Sequence, residues 1–361
     1  MTEGRVENAI AQGSTIDDYE RTLAPSCWIQ LTRVNLIGRH KMVAKSLVGW
    51  PLLFVVVAAL LLMTTGTALP DSEYKTSSIT KVVLLGTGTP GPVPDRSGPC
   101  VAIVVNDTPY LVDLGPGVVR RASAAYQKGV KGLQFSKLKT AFITHLHSDH
   151  TVGYPDFIFT PWVVGRTGPV QVYGPIGIKA MTDHILEAWK EDIRIRTKGM
   201  ERNFPEHNDS GYKVDVHEIS PGIVYQDSNV TVKAFLVNHG EVPQAFGYRF
   251  ETPDRTIVIS GDTSPTQSVI DNCDGCDILV HEVYTMKAQA ASPPVWQQYR
   301  LKYHTSSKQL AELATKARPK LLVLYHQIYY FNNASTREDL IQEMRDAYKG
   351  QFVSGLDLDI Y

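Results

Sequence analysis

ITHLHSDHTVG, Ile143–Gly153, sets three histidines and an aspartate within six residues, directly after the apolar run TAFIT. Three imidazoles and a carboxylate packed together without a cation would leave several buried polar groups unsatisfied, at about 1–3 kcal/mol each. A divalent metal ion removes that cost, because neutral imidazole and carboxylate oxygen are its ordinary ligands. His145 and His147 stand at i and i+2, and on extended backbone such residues point to one side. Asp149 and His150 then turn away, which suits a second ion beside the first.

Working outward, the same arrangement recurs. NVTVKAFLVN runs into His239, RTIVIS into Gly261-Asp262, DILV into His281-Glu282 and LLVLY into His326. Apolar strands that each end in a potential ligand or acid/base group mark a site at a sheet edge, where the core positions the residues and the loops leave room for substrate. One histidine at a strand end is ordinarily just a satisfied polar residue, and His40, His184, His207 and His217 take that reading. From Thr80 onward, short β-branched runs such as KVVLLG and CVAIVV alternate with Gly/Pro/Asp turns and helical stretches. IGIKAMTDHILEAWKED reads as an amphipathic helix. HTSSKQLAELATKARPK reads as another, starting at Thr305 or Ser306 and stopped by Pro319. STREDLIQEMRDAY reads as a third, with a capping box between Ser335 and Glu338. Mixed strands and helices predict a single α/β domain over residues 80–361, with sheet cores and outer helices.

Of 361 residues, 43% are hydrophobic and 20% charged, enough to bury a sizeable core. The formal net charge of −1 shows none of the basic excess common in nucleic-acid binders. The N-terminal region differs. LVGWPLLFVVVAALLLM, Leu47–Met63, is an uncharged apolar run near the lower limit for spanning a bilayer. Arg33, Arg39, Lys41 and Lys45 precede it, and Asp71 and Glu73 follow, so the positive-inside rule sends the remainder out of the cytoplasm. Small residues at Gly66 and Ala68 suit a signal peptidase. Residues 47–69 are thus expected to be a signal peptide or a membrane anchor, and the product to be periplasmic or anchored facing outward. Residues 1–46 are an extension, either a short cytoplasmic tail or the result of a mis-assigned start, since Met42 opens a signal-like stretch. Cys273 and Cys276 have CxxC spacing, open to a local disulfide or to two thiols, and no function is placed there.

HLHSDH resembles the HxHxDH signature of the metallo-β-lactamase superfamily. LLGTGTP, LVDLGPG, VNHGEVPQAFGYRFE, SGDTSP, LVHEVYT, YHTSS and LYHQIYY then follow in the order of its ribonuclease Z-like branch, which includes zinc arylsulfatases. The resemblance spans Thr80 to Tyr361 and implies a four-layer αβ/βα sandwich with a binuclear metal site at the sheet edge. It implies that His145, His147 and His239 hold one ion and that Asp149, His150 and His326 hold the other, with Asp262 bridging. Two zinc ions are expected, with manganese or iron as alternatives. Asp113 would support the site without binding metal. HEVYT resembles the branch's HEAT motif and HTSS its HST motif, so Glu282 and His304 would form a carboxylate–imidazole pair that protonates the leaving group. Asp149, Glu282 and His304 are the candidate catalytic residues, and His281 is expected to support the ligands.

Two enzyme readings follow from this branch. Its tRNA-processing members carry a long arm between the residues matching His239 and Asp262, and this interval is short here. The short interval and the export segment favour a hydrolase of small phosphodiesters or sulfate esters and argue against a nucleic-acid partner. The alternative is a tRNA 3′-processing endoribonuclease, and lactonase or thioesterase chemistry is a further one. A membrane contact through an uncleaved N-terminal segment and a homodimer are both compatible with the reading.

Overall fold

The computed structural model describes residues 79–329 and 334–361. The chain divides into two compact units, Met1–Ser72 and Glu73–Tyr361, and the described residues all fall in the second. The apolar run Leu47–Met63 therefore lies outside them. Among the described residues no helix is long and apolar enough to cross a membrane.

Among the described residues, thirteen strands form two sheets. The first holds β1 (Thr80–Gly86), β2 (Cys100–Val105), β3 (Thr108–Val112), β4 (Thr140–Phe142), β5 (Val170–Gly174) and β6 (Val214–Glu218), side by side in chain order. The second holds β7 (Gly222–Gln226), β8 (Thr231–Leu236), β9 (Phe246–Glu251), β10 (Thr256–Ile259), β11 (Ile278–Tyr284), β12 (Leu321–Ile328) and β13 (Phe352–Ser354). Each begins with antiparallel neighbours. The pairing becomes parallel from β3 in the first sheet and from β10 in the second. The helices are α1 (Val118–Gln127), α2 (Ser148–Thr151), α3 (Tyr154–Val163), α4 (Ile178–Ala188), α5 (Lys190–Lys198), α6 (Gln267–Cys273), α7 (Met286–Ala290), α8 (Pro294–Tyr303), α9 (Ser307–Ala317) and α10 (Arg337–Ala347).

Three buried clusters explain the layering. Along β1, Val82 and Leu84 face one core, while Val83 and Leu85 face another. A strand buried on both faces reads as a continuous apolar run rather than as an alternation, which is why KVVLLG shows no polar face. The central core joins the sheets, packing Val82, Ile103 and Phe142 with Tyr248, Phe250 and Val280. A second seats α1, α3 and α4 on the first sheet through Ala122, Phe157, Ile158 and Ile178. The third seats α6, α9 and α10 on the second sheet through Val269, Leu310, Ala314 and Met344. Helix, sheet, sheet and helix thus follow one another across the unit, the layering that the family resemblance implied.

Ser306 caps α9 in a reciprocal box with Gln309. The box of α10 sits one residue later than the sequence pattern suggested: Thr336 is the cap and Asp339 its partner, whereas Ser335 is buried and hydrogen-bonded to Thr285. Cys273 and Cys276 are joined as a disulfide between α6 and β11, and Cys100 is free and buried on β2.

Candidate metal centre

The parallel strands carry their C-terminal ends to one edge, and the loops beyond those ends deliver the polar residues. β4 leads through Thr144 to His145, α2 carries Asp149 and His150, β8 leads to His239, and β10 leads to Asp262. Gly261 turns that last corner at φ 61, a left-handed conformation that favours glycine; a Cβ there would meet Phe246 O at 2.7 Å. β11 and β12 do not end where the sequence pattern suggested. β11 runs on to Tyr284 and β12 to Ile328, and the pairing slips between Glu282 and Val283. Glu282 pairs with Tyr325 and Val283 with Gln327, so His326 is an extra residue in its strand, at φ 42. Such a bulge re-aims one side chain without ending the strand.

His145, His147 and His239 converge. His145 Nε2 and His147 Nδ1 are 2.9 Å apart, and His239 Nε2 lies 3.2 Å from the same Nδ1. The outer nitrogens of His145 and His239 are already engaged. His239 Nδ1 donates to Tyr303 O at 2.8 Å. Thr144 Oγ1 donates to Asp113 at 2.9 Å, which leaves it to accept from His145 Nδ1 at 3.0 Å. The converging Nε2 atoms of His145 and His239 therefore present lone pairs. Burial holds His145 well below the ordinary imidazole range and pushes His239 down to about 3, so both are neutral near pH 7.

Beside them, Asp149 Oδ2 lies 3.2 Å from His326 Nε2 and 3.5 Å from His150 Nε2. Asp113 accepts from His150 Nδ1 at 2.8 Å and from the Thr144 backbone N–H at 2.8 Å, orienting that imidazole. Asp262 lies between the two sets, its Oδ2 being 3.5 Å from His150 Nε2 and 3.4 Å from His326 Nε2. It is grouped with His145 and His150 on one side and with His239 and His304 on the other. His150 Nε2 and Asp262 Oδ1 are buried without a hydrogen-bond partner. Facing lone pairs and orphaned buried acceptors are what a cation would satisfy, so this donor set fits a divalent metal.

Glu282 is fully buried. Its Oε1 accepts from Thr263 N at 3.2 Å and from Thr305 N at 3.0 Å, and lies 3.3 Å from His304 Nδ1. One carboxylate thereby ties the loop bearing Asp262 to the loop bearing His304. Burial raises the Glu282 carboxyl above its usual range. For His304 burial works downward, but the Glu282 charge and hydrogen bond, with the Asp262 and Asp149 charges, together raise the imidazole. The pair lies close to Asp262, whose Oδ2 is 4.0 Å from His304 Nδ1. A cavity of about 550 Å³ opens over these groups and is lined by His147, Asp149, Asp262, His304 and His326.

His145, His147, Asp149, His150, His239, Asp262, Glu282, His304 and His326 are thus brought to one place. His281 is not. Along β11, Ile278 and Val280 face the central core on the side of Glu282, whereas Leu279 and Val283 pack in the helix-side core. Alternation puts His281 on that helix side, so its expected support of the ligands is corrected. His184 is exposed, His207 pairs with Asp209 at 3.1 Å and His217 stacks on Tyr173, all away from the site. His40 lies outside the described residues. Sequence reasoning missed Thr144 and the Tyr303 carbonyl, whose only signal was adjacency to His145 and His304.

This fold and donor set define a metal-dependent hydrolase of the metallo-β-lactamase type. The chain belongs to the β-lactamase superfamily, whose domain matches residues 108–327. It is 32% identical over 257 residues to the ribonuclease Z of Mycobacterium bovis, spanning 69% of this chain and 86% of that protein. The ribonuclease Z of Mycobacterium marinum is 32% identical over 256 residues, with 69% and 86% covered. Among solved structures, the fold is shared with human tRNase Z, short form, at TM-score 0.57 and 22% identity, covering 78% of this chain and 98% of that one. It is shared also with the metallo-β-lactamase fold protein YhfI of Bacillus subtilis, at TM-score 0.59 and 17% identity, covering 79% and 100%. The two mycobacterial relatives overturn the expectation that argued against a nucleic-acid partner: both are ribonucleases, matched over 86% of their length. A neutral net charge did not exclude RNA, because charge at one local site is invisible in a sum over the whole chain.

Proposed function

We propose that the protein is a binuclear metal-dependent phosphodiesterase of the ribonuclease Z type, with a precursor tRNA 3′ end as its first substrate to test. The observation that carries the reading is the buried Glu282–His304 pair beside Asp262, at the junction of two converging donor sets, in a chain 32% identical to ribonuclease Z. His145, His147 and His239 would hold one zinc-class ion and Asp149, His150 and His326 a second, with Asp262 between them. Such ions make water nucleophilic near neutral pH and offset charge developing on the reacting phosphate. The protein's own part is orientation and proton supply. Asp113 and Thr144 fix the tautomers of His150 and His145, and Tyr303 O fixes that of His239. Glu282 holds His304 at the cavity with its proton, ready for the leaving oxygen.

A second reading, a small phosphodiester or sulfate ester as substrate, is supported by the tight β8–β9–β10 connections. Val237–Ala245 and Thr252–Arg255 leave no room for a gripping arm. One preparation offered precursor tRNA and aryl phosphodiesters at physiological salt decides between them. Site-specific 3′ cleavage is expected, falling by roughly 10²-fold or more in His304→Ala. Turnover of small esters alone would leave the second reading standing.

A further inference from the structure

One wall of the cavity is built by neither the metal-donor residues nor the Glu282–His304 pair. Helix α8 reaches it with Val295, Trp296, Tyr299 and Arg300, and the remaining apolar lining comes from Pro90, Gly91 and Ile328. Trp296, Tyr299 and Tyr303 stand at i, i+3 and i+7, so they share one face of the helix. Trp296 meets Tyr299 edge to face at 5.6 Å, and Tyr299 stacks on Tyr303 at 4.4 Å. Tyr299 in turn lies 5.8 Å from the His304 ring, and Tyr303 meets His239 edge-on at 5.2 Å. A continuous run of rings therefore leads from the cavity mouth to the reacting centre.

A purely structural role would bury these side chains. Instead Trp296 is 42% exposed and Val295 69% exposed. The helix's two cations are otherwise engaged. Arg300 is buried and donates to Ser292 Oγ at 2.7 Å, and Lys302 is paired with Glu241. The wall offers π surface beside a centre suited to phosphate, and it offers no free charge to a phosphate chain.

We infer that this wall is a stacking subsite for one unpaired nucleobase flanking the scissile phosphate, with Trp296 and Tyr299 as specificity-determining residues. The inference rests on the RNA reading above. Every base has a π-face, so the subsite selects an unstacked base over a paired one and is tolerant of which base it is. It also supplies, beside the cut, hold on the RNA that an arm would otherwise provide.

The test uses the full-length, metal-loaded protein and matched RNAs carrying a normal or an abasic nucleotide at each position flanking the cut. For wild type, abasic substitution at one flank should raise KM about tenfold with kcat little changed. In Trp296→Ala and Tyr299→Leu that penalty should shrink, because the stacking partner is already gone. Equal KM values for normal and abasic RNA in wild type, or an undiminished penalty in both variants, would overturn the subsite. A binding measurement separates this from failure of the RNA reading. If no RNA is cut, adenosine 5′-monophosphate should still quench tryptophan emission in wild type and not in Trp296→Leu, while ribose 5-phosphate leaves emission unchanged. Identical responses to the two probes would remove the subsite independently of any cleavage result.

Discussion

Asp262 belongs to both donor sets of the centre. It is almost fully buried, and although burial works to raise its carboxyl, the facing imidazoles of His326 and His150 hold it well below the usual range. Asp262→Ala should strip most bound metal from the purified protein, whereas His304→Ala should retain it, as read by elemental analysis. Full occupancy in Asp262→Ala would remove that residue from the centre. His281 makes a different prediction. Burial pushes this imidazole down to about 4, and its Nε2 has no partner. Between the unfolded value near 6.5 and about 4, the unfolded chain holds a proton that the native state lacks, so stability rises with pH across this window. The contribution is complete above about pH 6.5 and lost on acidification, amounting to roughly 3 kcal/mol at pH 4. His281→Leu should flatten the fall in unfolding temperature between pH 7 and pH 4.5. An unchanged slope would show that other groups set it.

At the scale of elements, β4 does most with fewest residues. It spans only Thr140–Phe142, yet the chain beyond it delivers His145, His147, Asp149 and His150. Phe142 clamps it, stacked on Tyr173 of β5 at 5.2 Å and set against Tyr248 and Phe250 of β9, each at 5.5 Å, in the opposite sheet. Phe142→Ala should cost about 3–5 kcal/mol of stability by denaturant titration, near the upper end of the core-cavity range. A loss under about 1 kcal/mol would mean that the sheets close over the gap. The β12 bulge is the complementary case. LLVLYHQI reads in sequence as a strand ending at His326, because a ligand and a strand end usually coincide. Its neighbour's register, which no local pattern records, makes His326 an extra residue inside a continuing strand.

Taken whole, the molecule places its chemistry where two half-parallel sheets bring strand ends to one edge, and the helices serve to close the outer cores. Residues 1–78 lie outside the described part, so export remains a proposal from the cationic flank and apolar run alone. A reporter fused after Ala68 should be active only outside the cytoplasm. Cytoplasmic activity would end the export proposal and leave the RNA reading untouched.

The sequence by itself determined the family and the α/β layering and pointed to the proposed donor set, because HLHSDH is contiguous and the other candidate donors fall at recognisable strand ends. Those signals are local, and local chemistry is written along the chain. Tertiary structure alone decided which way His281 faces, that Cys273 and Cys276 are joined, and that Glu282 ties the Asp262 and His304 loops. It alone set the rings of α8 beside the reacting centre. Each of these depends on register between segments far apart in sequence, which helical or strand periodicity does not encode. The expectation against a nucleic-acid partner failed for a related reason. A short β8–β10 interval removes one gripping surface, but it leaves the Asp262–His304 centre in place.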